Sequence, residues 1–339
     1  KKVPKLYSAE LDGINAELIE VEADINVGLH SFNIVGLADK AVIEAKERVN
    51  SALKNSGIKP PTKENRRITI NLAPADIKKA GSRFDLPIAI AYLLASEQIK
   101  TFDSKDKIFI GELSLDGSLR SITGSLNIAL LAKKKGIKKI FLPEANALEA
   151  GVVNDIEVIP VCNLNQLIEH LDGIKLITPQ THTPIQPIHP PFSVSLSEIK
   201  GQAAAKRALM IAAAGGHNLI MVGPPGTGKT MLAQSIISIL PLPTKNECLE
   251  ITQIWSATGL NQNAPFINYR PFRSPHHSSS AIALIGGGSN PRPGEISLAH
   301  RGILFLDEIP EFHRDVLEAL RQPLESGYIH IARSKKSLI

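Results

Sequence analysis

Residues 218–230 read NLIMVGPPGTGKT, and this stretch decides the fold of the second half of the chain. The apolar run Asn218–Val222 predicts a strand, and Lys229–Leu240 predicts a helix. Between them, Gly223, Pro224, Pro225, Gly226, Thr227, Gly228, Lys229 and Thr230 match the pattern GxxxxGK[ST] in full. The chemistry needs this spacing. Glycines let successive backbone N–H groups converge on phosphate oxygens at the positive end of a helix. Lys229 is placed to reach the β- and γ-phosphates of a nucleotide, and the Thr230 hydroxyl to hold Mg²⁺.

Further along, Ile303–Leu306 forms an apolar run that ends in Asp307 and Glu308. A buried strand would deliver both carboxylates beside the phosphate loop. Asp307 is then the second metal-organising residue, and Glu308 the base that orients and polarises an attacking water. Lys229, Asp307 and Glu308 form the candidate catalytic set. The two elements together specify hydrolysis of ATP or GTP.

Upstream, helix Gln202–Ala214 precedes the loop; downstream, strand Ile303–Leu306 leads to helix Asp315–Glu325 and strand Tyr328–Ala332. Strands alternating with helices predict a parallel sheet covered on both faces. The region between the two motifs reads as a long polar, Gly/Pro-rich stretch. Residues 178–193, TPQTHTPIQPIHPPFS, carry prolines at 179, 184, 187, 190 and 191. That density blocks helix and ladder alike, so 178–195 is expected to be an extended linker. It separates a domain over 1–177 from one over 196–339.

The leading domain alternates strands (Ala16–Val27, Ser31–Val35, Arg67–Leu72, Lys107–Leu115, Lys138–Leu142, Glu157–Val161) with helices (Asp39–Ser56, Asp85–Ser96, Leu126–Lys135, Leu164–Leu171). Asp39 is the expected N-cap of its helix. This is a mixed α/β domain, and the whole chain is of the α/β class.

Composition narrows the function. Aromatic residues make up 4% of the chain, too few to advertise base-stacking platforms. Cys162 and Cys248 form no CxxC pair, which removes a disulfide scaffold and a zinc site and suits a reducing cytosol. No uncharged apolar run approaches the roughly 18–20 residues a membrane span needs, so a cytoplasmic protein without membrane contact is expected. Net charge is +5: residues 1–177 hold 24 basic against 23 acidic side chains, and residues 178–339 hold 14 against 10. That mild excess fits phosphate-bearing ligands without marking a nucleic-acid surface.

The segments GPPGTGKT, FRSPHHSSS, LIGGGSNPRPGEISLAHRGILFLDEIPEF and VLEALRQPLESG resemble the magnesium-chelatase-like AAA+ ATPases. In the first half, FNIVGLADKAVIEAKERVNSAL, RRITINLAPADIKKAGSRFDLPIAIA and GELSLDGSLRSITG are similar to the ComM/YifB branch of that family. The resemblance covers nearly the whole chain. It implies ATP and Mg²⁺ as ligands, hexameric rings with ATP between subunits, and a DNA motor that drives branch migration in natural transformation. It also implies that Phe272–Gly302 points toward the ring pore, making Arg273, His276, His277 and Arg292 candidate DNA or pore contacts.

The leading domain resembles the proteolytic domain of Lon-type proteases, but the pattern departs from theirs. The nucleophilic serine position falls on Arg83, one residue after Ser82, and the partner lysine position falls on Leu126. A Ser/Lys dyad needs an amine beside the hydroxyl, so no peptidase activity is expected, and Ser82, Arg83 and Asp85 are expected to serve the fold or an interface. The chain reads Lys at position 1 and ends at Ile339, before the sensor strand, lid helices and trans-acting arginine that the resemblance implies. It is therefore expected to be a fragment or a truncated product, with slow hydrolysis; Arg314 and Arg321 lie too early for that arginine. Two other functions stay open on this evidence: a chelatase-like ATPase that remodels a protein partner, and a non-catalytic nucleotide-binding scaffold.

Overall fold

The computed structural model describes residues 3–63, 65–191, 193–261, 264–288, 291–329, 331–332 and 337–338. Phe192 of the expected linker, Ser289 and Asn290 of the 272–302 segment, and His330 of the expected strand 328–332 lie outside the described residues. The chain divides into two compact units, Lys1–Pro184 and Ile185–Ile339. The division falls inside the proline-rich stretch.

In the first unit the strands are β1 (Lys5–Asp12), β2 (Asn15–Val27), β3 (Ser31–Val35), β4 (Arg66–Ala73) and β5 (Lys107–Phe109). A short hairpin, β6 (Glu112–Leu113) and β7 (Leu119–Arg120), stands apart, and β8 (Lys139–Pro143) and β9 (Glu157–Val161) complete the set. Seven strands form one mixed sheet in the order β3-β4-β2-β1-β5-β8-β9. β1, β2 and β4 are antiparallel neighbours, whereas β3, β5, β8 and β9 join in parallel. The helices are α1 (Lys40–Ile43), α2 (Ala45–Asn55), α3 (Asp85–Ala95), α4 (Ser125–Lys135), α5 (Ala147–Ala150) and α6 (Leu164–Leu171).

Burial explains the sheet. β4 alternates Ile68, Ile70 and Leu72 inward, and β2 does the same with Ile19, Val21 and Ala23. That is the period-two pattern of a strand with one face on a core. α3 is buried nearly all round, from Asp85 to Leu93, which makes it the central helix of the layer. Asp39 caps α1, its carboxylate accepting from Val42 N at 2.8 Å. The expected single helix Asp39–Ser56 is two helices, and the expected strand Lys107–Leu115 breaks after Phe109. The break is at Gly111: its N–H donates to Arg83 O and its carbonyl accepts from Leu86 N, so the backbone turns to dock α3 instead of extending the ladder.

The second unit contains α7 (Ala203–Gly215), α8 (Lys229–Ser235), α9 (Lys245–Thr258), β10 (Phe272–Arg273), α10 (Ala281–Ile285), β11 (Gly286–Gly287), β12 (Arg292–Pro293), α11 (Glu295–Leu298), β13 (Ile303–Leu304), α12 (Arg314–Ser326), β14 (Ile331–Ala332) and β15 (Ser337–Leu338). α9 lies in the stretch read as long, polar and Gly/Pro-rich. Its Thr244 hydroxyl accepts from Glu247 N while the Glu247 carboxylate accepts from Thr244 N, a reciprocal capping box. β10 and β13 pair in parallel, Phe272 against Ile303 and Arg273 against Leu304. Ile303 packs with Leu209, Leu232 and Ile236, whereas Leu304 and Leu306 pack with Phe312, Val316 and Leu320. Successive residues of β13 thus face opposite apolar clusters.

Asn218–Val222 is not a strand. Among the described residues nothing pairs with it, and Ile220 and Val222 are 76% and 92% exposed. A strand exists only where a neighbour takes its N–H and C=O groups. β13 finds its partner in β10 instead. The parallel sheet expected here is a two-stranded pair among the described residues.

Candidate functional site: a phosphate loop facing a carboxylate

The sharp turns of the glycine loop come from Gly226 (φ +81) and Gly228 (φ +84), left-handed conformations that suit residues without a Cβ. Gly228 hands the chain to α8, so Lys229 and Thr230 occupy its first turn. Lys229 Nζ donates to Gly223 O at 2.9 Å and to Pro224 O at 2.8 Å. The ammonium therefore folds back across the loop that its N–H groups surround. Thr227 Oγ1 donates to Pro224 O at 2.9 Å, bracing the same turn.

Thr230 Oγ1 donates to Asp307 Oδ2 at 3.0 Å. Seventy-seven positions apart in the chain, these side chains meet because α8, the helical turn after it and β13 share one apolar cluster through Leu232, Ile236 and Ile303. The other Asp307 oxygen accepts from Glu308 N at 3.0 Å. Glu308 itself has φ +52, an uncommon conformation for a non-glycine residue, and is exposed. A hydroxyl and a carboxylate converging beside exposed loop amides form the hard-oxygen donor set that Mg²⁺ takes together with phosphate oxygens. The residues present fit both groups.

Of the proposed pore contacts, Arg273 is engaged within the fold. Its Nε and Nη2 donate to Glu295 at 2.6 and 2.7 Å, and its guanidinium lies 5.5 Å from the Trp255 ring centroid. The Glu295 carboxylate holds its ionisation well above the usual range. The His276 and His277 rings lie tilted against each other at 4.0 Å between centroids, with His277 edge-on to Phe312. Arg292 is exposed on β12. Among the described residues no group of three or more His, Cys, Asp or Glu is arranged to hold a metal.

Sequence reasoning missed two neighbours of the site. Gln202 Nε2 donates to Thr227 O at 3.4 Å, and Arg270 joins the backbones flanking the loop helix and β13. Gln202, with φ +56 beside a glycine, left no chemical signature in the pattern, and Arg270 belongs to no motif.

In the first unit, the positions aligned with a peptidase dyad are filled otherwise. Arg83 approaches Glu10 at 3.7 Å and Thr123 Oγ1 at 3.3 Å, Ser82 donates to Glu112, and Leu126 is fully buried. The buried Lys79 amine, which burial pushes below its usual range, donates to the carbonyls of Gly36 and Pro74. The neighbouring amides are taken by carboxylates, Ala80 N by Glu10 and Gly81 N by Asp39. Asp85 is fully buried and bidentate with Arg48 at 2.6 and 2.9 Å.

Residues 195–339 match the family model described as magnesium chelatase, subunit ChlI, and residues 21–146 match a second, subunit ChlI of Mg-chelatase. Both halves of the chain are thus similar to the magnesium-chelatase subunit ChlI. Over nearly its whole length the chain is similar to the ComM and YifB proteins. It is 45% identical over 336 residues to the competence protein ComM of Haemophilus influenzae, covering 98% of this chain and 65% of that protein. It is 45% identical over 326 residues to YifB of Escherichia coli, covering 96% of this chain and 63% of that protein. The chain thus spans a little under two thirds of these relatives. A 166-residue stretch, 46% of the chain, is 28% identical to 20% of the Lon protease of Rhizobium meliloti, in keeping with the Lon-like α/β reading of the first unit. No helix among the described residues is long and apolar enough to cross a membrane.

Proposed function

We propose that this chain is the ATP-binding part of a ComM-like motor subunit that remodels branched DNA in the cytoplasm, working as a hexameric ring. The observation that carries the nucleotide reading is the 3.0 Å contact of Thr230 with Asp307, which closes the phosphate loop against the acidic strand. Lys229 exchanges its two carbonyl partners for β- and γ-phosphate oxygens. Thr230 and Asp307 would hold Mg²⁺, which would supply neutralisation of phosphate charge. Glu308, exposed beside this pair, orients a water and takes its proton.

The DNA reading rests on the similarity to ComM and on the exposed Arg292 and paired His276 and His277. Arg273, held by Glu295, is the weakest of the four contacts. The carboxylates seated on the amides of Ala80 and Gly81, with Arg83 in place of a nucleophile, support a first unit in which these residues serve the fold or an interface and not peptide cleavage.

ATP turnover by the longer protein, measured at low salt with and without branched DNA, tests the motor. Severalfold stimulation by branched DNA is expected, and its loss in Glu308→Gln. Magnesium-dependent turnover indifferent to DNA would discard the motor and favour remodelling of a protein partner, the reading that the chelatase-subunit match supports.

A further inference from the structure

Arg270 joins the two halves of the candidate ATP site from the side opposite to the chemistry. Its Nε donates to Pro241 O at 2.6 Å, Nη1 to Arg301 O at 2.7 Å, and Nη2 to Glu247 Oε2 at 3.2 Å. Its side chain is only 15% exposed. Pro241 ends the run that begins with Lys229 and Thr230, through α8 and the helical turn Ile236–Ser238. Arg301 stands two residues before β13, whose strand direction leads to Asp307. The two runs therefore leave one guanidinium and meet again where Thr230 touches Asp307.

The corner itself is tight. Ile303 N donates to Pro271 O at 2.8 Å, and a Cβ on Gly302 would lie 2.0 Å from that same oxygen. Asn268, two residues before Arg270, accepts from Ile188 N at 2.9 Å and donates through Nδ2 to Gln186 O at 2.6 Å. Backbone on both sides of Arg270 is thus pinned. Glu247, its third partner, also completes the capping box of α9 by accepting from Thr244 N. A planar guanidinium can satisfy acceptors in three directions at once, whereas an ammonium on a flexible stem cannot reproduce that fork.

We propose that Arg270 is a positioning residue: by fixing the spacing between the exit of α8 and the root of β13, it sets the Thr230–Asp307 separation that receives Mg²⁺ with the nucleotide. The inference rests on the ATP reading above and deepens it. Arg270 touches neither the loop amides nor Lys229, so metal-free contact with phosphates does not depend on it. Groups bonded directly to a metal ligand change metal affinity by roughly 10–100-fold when lost; Arg270 acts through the two backbone runs, so the effect expected of it is at the lower end.

The test is equilibrium binding of ATP to the full chain, with Mg²⁺ and with a chelator, for the wild type, Lys229→Ala, Arg270→Ala and Arg270→Lys. The ratio of the two affinities is expected to fall roughly tenfold in both Arg270 variants, with chelator-side affinity kept. A wild-type ratio in Arg270→Lys overturns the proposal, and does so even if Arg270→Ala fails to fold. A parallel loss of affinity with and without Mg²⁺ in Arg270→Lys also overturns it, since that marks general damage to the unit. If the wild type and Lys229→Ala bind ATP equally, the ATP reading itself falls, and this inference with it.

Discussion

RITINL in the first unit and NLIMV in the second are similar stretches of sequence with opposite fates. Ile68, Ile70 and Leu72 are buried in a strand flanked on both sides, by β2 and β3. Ile220 and Val222 lie exposed in a segment with no ladder partner among the described residues. The difference is not in propensity, since both are rich in β-forming residues. It is in what the rest of the chain places alongside. In the first unit a seven-stranded sheet places one face of its strands on a core, whereas in the second unit the segment leads into an exposed glycine loop.

The largest expected effect that sharpens this contrast is in the first unit. Arg48→Ala leaves the fully buried Asp85 carboxylate without its bidentate partner and is expected to cost about 3–5 kcal/mol. Denaturant unfolding should show the loss in the first unit while ATP affinity is retained. A change below ~1 kcal/mol would mean that Asp85 is protonated or solvated in solution.

The same carboxyl predicts a pH window. Burial, outweighing Arg48, pushes Asp85 up to about 6 from its ordinary 3.8. A raised folded value means that its contribution is fully present below pH 3.8 and is lost as pH rises to about 6. Wild type should therefore lose up to ~3 kcal/mol relative to Asp85→Asn across that window. A stability difference between the two that is flat from pH 4 to 6 would remove the shift.

The direct comparison is Ile70→Ala against Ile220→Ala. Truncating the buried residue should cost at least ~2 kcal/mol, and the exposed one less than ~0.5 kcal/mol. Equal costs would show that Asn218–Val222 is paired and covered in solution.

Legibility followed the same division. Ser31–Val35, Glu157–Val161 and Leu164–Leu171 carry their period and punctuation locally, and each lies where the pattern places it. β1 escaped notice because KLYSAELD mixes charges with apolar residues and has no clean alternation. α9 was hidden among prolines and glycines, although its start was written in Thr244 and Glu247 at capping-box spacing. At the candidate site, the Thr230–Asp307 contact joins two motifs whose residue types are set at fixed offsets, whereas the expected strand Ile303–Leu306 ends at Leu304 and leaves Asp307 and Glu308 in the turn beyond it. Arg270 was not legible, since a guanidinium bound to two main-chain carbonyls leaves no trace in the sequence of either partner.

The most direct measurement is calorimetric ATP binding by the chain and by Lys229→Ala, alongside the melting of the first unit. Replacing the ammonium removes two or more charge-assisted contacts to phosphate, so affinity should fall roughly 100-fold while the first unit melts unchanged. Undiminished affinity in the variant would contradict a nucleotide held between Gly223–Thr230 and Asp307.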